Sequence, residues 1–208
     1  MNILTTPENG SAPRRVRDPD RKEKILAAAA DLVAKRGFHA VSMTEIGAAV
    51  GVSGAAIYRH FESKGALLLA LFDRSIDGLL RDEHESLQRI SDVPTALRHL
   101  IGRQVDFVVD EREFARVYHR EVDHLPAEDR GRLRRKQRLY LEEWVHLVRE
   151  LHEDLDDAAA RALVHAVIGT IQSPLVHNVG LSDERLKAIL RRAAYSVLEL
   201  EPLGPTAT

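Results

Sequence analysis

Residues 41–71 constrain the fold most tightly, because helix-start signals follow one another there at short intervals. Ser42 is followed three residues later by Glu45, which is the spacing of a capping box. Gly51 comes next and supplies the left-handed backbone conformation that other residues resist. Ser53 is a good N-cap for another helix directly after it. The segment therefore predicts two short helices joined by a tight turn.

Apolar residues recur at helical spacing along most of the remaining chain, and we find no convincing β-run and no internal repeat. The expected fold is all-α, with about nine helices. A first helix should start at Asp18 and Pro19 and end at Gly37. The later helices are expected from Ser63 to about Gln88, from Pro94, over 112–124, over 128–152, over 157–177 with a kink near Pro174, and after Ser182.

Composition excludes several classes of protein. The chain has no cysteine, which removes disulfide frameworks and thiolate chemistry. Its longest apolar runs, such as Ala66–Leu71, are far shorter than the roughly 20 residues of a membrane span. The polar start resembles no secretory signal, so we expect a cytoplasmic protein. Residues 1–17 lack periodicity and are expected to be a disordered arm.

The paired short helices have the layout of a helix-turn-helix, whose second helix enters the DNA major groove. Ser53, Gly54 and Ala55 give that helix a small outer face, which allows close approach to bases. Tyr58 lies where it can reach the phosphate backbone. Residues 1–65 carry ten Lys and Arg against seven Asp and Glu, and the remainder carries twenty against twenty-five. This asymmetry weakly favours a DNA-binding N-terminus.

The segment also resembles the DNA-binding domain of the TetR (tetracycline-repressor) family over about residues 20–72. The similarity is carried by ILAAAADLVAKRGFHAVSM, TEIGAAVGVSGAAIYRHF and SKGALLLALF. Many family members have a charged residue where Gly54 stands. The arginines of the arm, Arg14, Arg15 and Arg17, could follow the minor groove or form a solvated tail. The resemblance implies that DNA is met by Thr44, Ser53, Gly54, Ala55, Tyr58, His60 and Lys64.

The same resemblance implies two domains, a helix-turn-helix domain over 18–65 and an effector-binding and dimerisation domain over 66–201. Helices five to seven would form the pocket, and helices eight and nine would form a homodimer. Small residues along the eighth helix support close helix packing, within or between subunits. Candidate pocket residues, each of which could instead be ordinary core, are Phe107, Phe114, Tyr118, Arg120, Trp144 and His165.

The run of six basic residues between Arg130 and Arg138 has two interpretations. It is either a solvated face balanced by nearby acids or the mouth of a pocket for an acidic ligand such as an acyl-coenzyme A. Arg116 and Arg120 likewise either bind an anionic group or pair with neighbouring acids. We expect no metal, no cofactor and no catalytic residues. The expected protein is a regulator, most simply a repressor released from a palindromic operator by an apolar or amphipathic effector.

Overall fold

The computed structural model describes residues 20–177 and 180–200, and these form nine α-helices and two 3-10 turns without any β-strand. The all-α prediction is confirmed. In chain order the helices are α1 (Arg21–Arg36), α2 (Met43–Ala49), α3 (Gly54–Ile57), α4 (Lys64–Leu87), α5 (Val93–Asp110), α6 (Arg112–Glu121), α7 (Ala127–Leu151), α8 (Asp157–Gln172) and α9 (Asp183–Val197). The arm 1–17 with its arginines, the helix start at Asp18 and Pro19, and the tail from Pro202 lie outside the described residues.

Serine caps set the starts of the helices around the turn, as their spacing predicts. The Ser42 hydroxyl accepts from the Glu45 N–H, and the Ser42 N–H donates to the Glu45 carboxylate at 2.8 Å. Hydrogen bonds from Ser42, and then from Arg36, lower the pKa of Glu45 to about 2. Gly51 has φ of 69°, which allows the chain to reverse between α2 and α3.

Two helix ends differ from the sequence-based expectation. The eighth helix ends at Gln172 and not near His177, and Ser173–Leu175 continue as a 3-10 turn. Pro174 explains the break, because proline lacks the N–H of the helical ladder and its ring clashes with the preceding turn. The sixth helix similarly tightens into a 3-10 turn over Val122–His124.

Two hydrophobic cores organise the helices. The first core packs helices α1, α2, α3 and α4 together and includes the fully buried Ile25, Ile57 and Phe72. It also contains Phe114 from α6 and Leu133 from α7. The second core joins the later helices α5, α7, α8 and α9. Because the first core takes residues from α6 and α7, the helix-turn-helix packs directly on the body, and a domain division at residue 65 stays a prediction.

Candidate DNA interface and effector cavity

Five of the seven residues predicted to meet DNA have exposed side chains on or beside the α2–α3 turn. These are Thr44, Ser53, Ala55, Tyr58 and His60. Tyr58 is 54% exposed, although a large aromatic side chain is usually buried to gain hydrophobic free energy. The short helix α3 thus presents a small face next to an exposed phenol, which suits approach to a DNA groove.

Gly54 has a packing role that the sequence alone did not reveal. A Cβ at this position would lie 2.8 Å from the Thr44 Oγ1 and 3.0 Å from the Thr44 Cα. Glycine therefore lets α3 approach α2, and a side chain here would point towards α2. Any contact between Gly54 and DNA would have to use its backbone. Gly47 is equally confined, because its Cβ would lie 2.7 Å from the Val52 carbonyl oxygen.

Lys64 is held by the loop that precedes α2. Its Nζ lies 4.5 Å from the centroid of the Phe38 ring and donates to the His39 carbonyl at 3.4 Å. The His39 Nε2 in turn lies 3.1 Å from the Glu121 Oε1 at the end of α6. A predicted DNA contact is therefore connected, through one loop, to a helix that lines the cavity described next.

A cavity of about 600 Å³ lies among α4, α5, α6, α7 and α8. This volume is in the range of small-molecule sites in proteins. Four of the six candidate pocket residues line it: Phe107, Phe114, Tyr118 and His165. Which of these side chains contact an effector stays a prediction.

The other two candidates lie outside the cavity lining. Trp144 is fully buried in the second core, with its ring centroid 6.1 Å from that of Tyr140. Arg120 is exposed on α6. Its neighbour Arg116 pairs with Glu113 at 2.8 Å and also donates to backbone carbonyls just after α8. The guanidinium of Arg116 therefore anchors the end of α8, which agrees with the pairing interpretation.

The polar side chains in the cavity wall differ in burial, and the half-buried ones are Ser75, Tyr118, Gln137 and Gln172. An exposed group marks the rim, and it consists of His119, Asp123, Arg134, Arg138 and His165. Gln104 and Tyr140 are different, because they are 4% and 7% exposed. The Tyr140 hydroxyl donates to the Gln104 Oε1 at 3.0 Å. We define these two residues as the buried polar pair.

Sequence reasoning missed Gln104, although a signal was present. The buried face of α5 reads Leu97, Leu100, Ile101, Val105 and Val108, and Gln104 interrupts it. A polar residue at a core position of an otherwise apolar face needs a hydrogen-bond partner. That partner comes from α7, a helix distant in sequence, so the pair could be seen only in three dimensions.

The basic run on α7 divides between two roles. Lys136 lies within 2.9 Å of both Asp73 and Asp77 of α4, and Arg132 pairs with Asp73 at 2.8 Å. These ion pairs fasten α7 to α4. Two other members of the run, Arg134 and Arg138, reach the cavity rim.

Arg134 and Arg138 differ in how they are held. Arg134 also pairs with Asp123 at 2.9 Å. Arg138 forms no ion pair within the described part of the chain. The rim is therefore basic as well as exposed.

The exposed side of α8 consists mainly of small residues, whereas the exposed side of α9 is mostly charged or polar apart from Ala188 and Ile189. Gly169 lies on the exposed side of α8 near the end of the helix, and a Cβ there would meet no atom within 4 Å. Val176 is 66% exposed and Ile189 is 38% exposed. The small exposed residues of α8 are Ala158, Ala159, Ala162, Ala166 and Gly169, and the exposed Ser173 follows directly after the helix.

Comparison with known families decides the classification. Residues 25–71 match the family model described as bacterial regulatory proteins of the tetR family. Residues 92–174 match the model of the tetracyclin repressor-like C-terminal domain. Together these ranges span more than half of the 208 residues. The chain belongs to the TetR family. TetR-family proteins are DNA-binding regulators of transcription and not enzymes, and the expected class is confirmed.

Individual relatives match over part of their length. The transcriptional activator FasR of Mycolicibacterium smegmatis is 35% identical over 43% of this chain and 41% of its own. The repressor KstR2 of Rhodococcus jostii is 27% identical over 53% of this chain and 54% of its own. The chain thus matches about half the length of these relatives or less. The fold is shared with the solved structure of AibR in complex with isovaleryl coenzyme A and operator DNA, with a TM-score of 0.66 and 20% sequence identity. This match covers 83% of this chain and 97% of AibR.

Two kinds of feature are missing from residues 20–177 and 180–200. No helix in these ranges is long and apolar enough to span a bilayer. No three His, Asp or Glu side chains there are grouped as metal ligands would be.

Proposed function

We propose that this TetR-family protein is a homodimeric repressor that binds a palindromic operator and is released by an amphipathic effector. The observation that carries the proposal is an exposed helix-turn-helix packed directly on a body that contains a cavity of about 600 Å³. A protein that only bound DNA would need no such cavity. Action on chromosomal DNA implies a cytoplasmic location.

The DNA-binding part of the proposal is tested at Tyr58. We expect its hydroxyl to bond to a phosphate, and a hydrogen bond to a charged group is worth about 1.5–3 kcal/mol. Tyr58→Ala should therefore weaken operator binding about tenfold or more. The operator is first selected from random duplex DNA, and affinity is then measured by fluorescence anisotropy at several salt concentrations.

Leu139→Ala is the matched control, because Leu139 is another exposed large side chain, 62% exposed on α7. Binding by both proteins should fall steeply with salt, since phosphate contacts supply much of the affinity. If Tyr58→Ala binds as tightly as the wild type, the assignment of α3 to the groove is wrong.

The homodimer is assigned to the exposed sides of α8 and α9, of which α8 supplies the small residues. Pairing two such surfaces would form an isologous four-helix bundle, in which small residues permit close helix contact. Gly169→Arg should yield monomers in light scattering without loss of helicity, because the new side chain meets open space within the subunit. Gly102→Arg is the control, since Gly102 on α5 has equally open surroundings. Dimers that persist in Gly169→Arg would rule out this interface.

An acyl-coenzyme A or related lipid thioester fits the cavity best. The lining combines apolar side chains with the basic rim residues Arg134 and Arg138, which suits an apolar chain bearing an anionic head. The related fold of AibR was solved with isovaleryl coenzyme A. Acyl-coenzyme A species of increasing length should quench the single tryptophan and displace the operator.

Arg138→Gln should weaken acyl-coenzyme A binding several-fold. Arg120→Gln should have little effect, because Arg120 is exposed outside the lining. No quenching and no displacement by any chain length would exclude this class of effector.

Release requires that the effector prefer one arrangement of the dimer, because a ligand shifts an equilibrium only by its differential affinity for the two states. We assign transmission to α4, which begins at Lys64 and lines the cavity with Ser75, Ile76 and Leu79. We propose repression, the role of the relative KstR2, because a dimer bound across a promoter would block polymerase. Transcription in vitro with and without the protein distinguishes the two, since an activator like FasR would raise transcript yield.

A further inference from the structure

The buried polar pair, Gln104 and Tyr140, is a feature of the cavity that an apolar chain does not explain, and the hydroxyl of Tyr118 in the same lining is also buried without a partner. Both side chains of the pair line the cavity, and both are more than nine-tenths buried. Burying polar groups costs free energy unless hydrogen bonds replace those made with water. In a cavity that bound only hydrocarbon, leucine and phenylalanine at these two positions would avoid this free-energy cost.

The pair satisfies only part of its own hydrogen-bonding capacity. The Tyr140 O–H donates to the Gln104 Oε1 at 3.0 Å, which uses the one donor of the tyrosine. A glutamine amide also carries two N–H donors, and the tyrosine oxygen retains lone pairs. Within the described residues, no hydrogen bond uses the Gln104 amide nitrogen. The pair can therefore donate to, and accept from, a group inside the cavity.

Two further residues with buried polar atoms, Trp144 and Glu83, lie outside the cavity lining. The Trp144 ring packs edge-on against Tyr140, and its buried indole N–H acts on the Tyr140 hydroxyl. Glu83 of α4 raises the pKa of Tyr140 through charge repulsion. Glu83 is itself 7% exposed, and its Oε1 has no hydrogen-bond partner. No basic side chain lines the cavity at a fully buried position, since Arg134 and Arg138 are exposed at the rim. This environment disfavours a buried anion and accepts a neutral polar group.

We infer that Gln104 and Tyr140 form a recognition site for an uncharged oxygen, a hydroxyl or a ketone, carried on the apolar chain of the effector beyond its head group and thioester. The inference rests on the proposed function and refines it. The effector would be an amphipathic molecule whose anionic head lies at the basic rim and whose apolar part is oxygenated. A saturated hydrocarbon chain would leave the Gln104 donors unpaired and would bind less well.

The test compares oxygenated and plain probes on the same protein. Acyl-coenzyme A thioesters of six to sixteen carbons are titrated against their terminally hydroxylated counterparts, with Trp144 emission as the readout beside the pair. Phenol and toluene, which differ by a hydroxyl in place of a methyl, form a second comparison without any head group, followed by ligand-observed NMR. The variants are Gln104→Leu and, as matched control, Gln172→Leu. Gln172 also lines the cavity but is only half-buried.

We expect the wild type to prefer the hydroxylated thioester by about fivefold at one or two chain lengths, as one neutral hydrogen bond provides. Phenol should likewise bind better than toluene. Gln104→Leu should abolish both preferences, whereas Gln172→Leu should retain them. Thermal unfolding and operator binding establish that each variant is folded.

The outcomes separate this inference from the proposed effector class. If no thioester binds but phenol is preferred and Gln104→Leu removes the preference, the site stands and the acyl-coenzyme A proposal fails. If plain thioesters bind at least as well as hydroxylated ones at every length, the inference is overturned. The same holds if phenol gains nothing over toluene, or if Gln104→Leu keeps the wild-type preference.

Discussion

Replacing Glu83 by glutamine should stabilise the protein, which is unusual for a change in the interior. Glu83 lies on α4 with only 7% of its surface exposed, and its Oε1 has no hydrogen-bond partner. Burial, and secondarily repulsion by Glu143, raises the pKa of Glu83 from 4.5 to about 8. At neutral pH the folded protein therefore holds this carboxyl in its protonated form.

The magnitude follows from the linkage between proton binding and folding. The unfolded chain releases the proton near its ordinary pKa of 4.5, whereas the folded chain retains it up to about pH 8. Stability is therefore complete below pH 4.5 and is lost as the pH rises towards 8. Each unit is worth about 1.4 kcal/mol, so the cost at pH 7 is about 3 kcal/mol. The Glu83→Gln variant would carry no such cost, because an amide does not ionise.

Urea denaturation of the wild type and Glu83→Gln across about pH 5 to 8 provides the assay. The free energy of unfolding of the variant should exceed that of the wild type by about 1 kcal/mol at pH 5 and by about 3 kcal/mol at pH 7. Glu85→Gln, an exposed acid two residues along the same helix, should change little at any pH. A difference between wild type and Glu83→Gln that is constant with pH, or absent, would refute the reasoning.

Three further substitutions test the close approach of α2 and α3 and the ion pairs between α4 and α7. Gly47→Ala should cost about 1–3 kcal/mol and lower the melting temperature by several degrees, because its Cβ would meet the Val52 carbonyl oxygen at 2.7 Å. Gly102→Ala, at a position of α5 with open space, should instead raise the free energy of unfolding by about 0.5–1 kcal/mol. Equal effects of Gly47→Ala and Gly102→Ala in calorimetry would contradict the close α2–α3 approach. Asp73→Asn removes a carboxylate shared by Lys136 and Arg132, so amide hydrogen exchange in α7 should become faster; unchanged protection would show that these pairs do not fasten α7 to α4.

Helix boundaries and family membership were accessible from the sequence because their causes are local. A serine cap and its partner lie three residues apart, so Ser42, Ser53 and Ser63 could be assigned without knowing the rest of the fold. A positive φ at Gly51 is likewise a property of one residue. The end of α8 shows the limit of this approach, because the position of Pro174 indicated a disturbance but not that the helix stops two residues earlier.

The cavity depended on which helices face one another, and sequence periodicity does not contain that information. Trp144 and Phe107 are both aromatic residues on amphipathic helices, yet only Phe107 lines the cavity. Gln104 looked like an isolated polar residue until α7 brought Tyr140 within hydrogen-bonding distance.

The basic run on α7 divided for the same reason. Lys136 pairs with carboxylates on α4, whereas Arg138 lies at the rim of the cavity. Local signals were sufficient for the helices, their caps and the family. Which side chains share a cavity depended on tertiary packing, because those contacts join residues tens of positions apart.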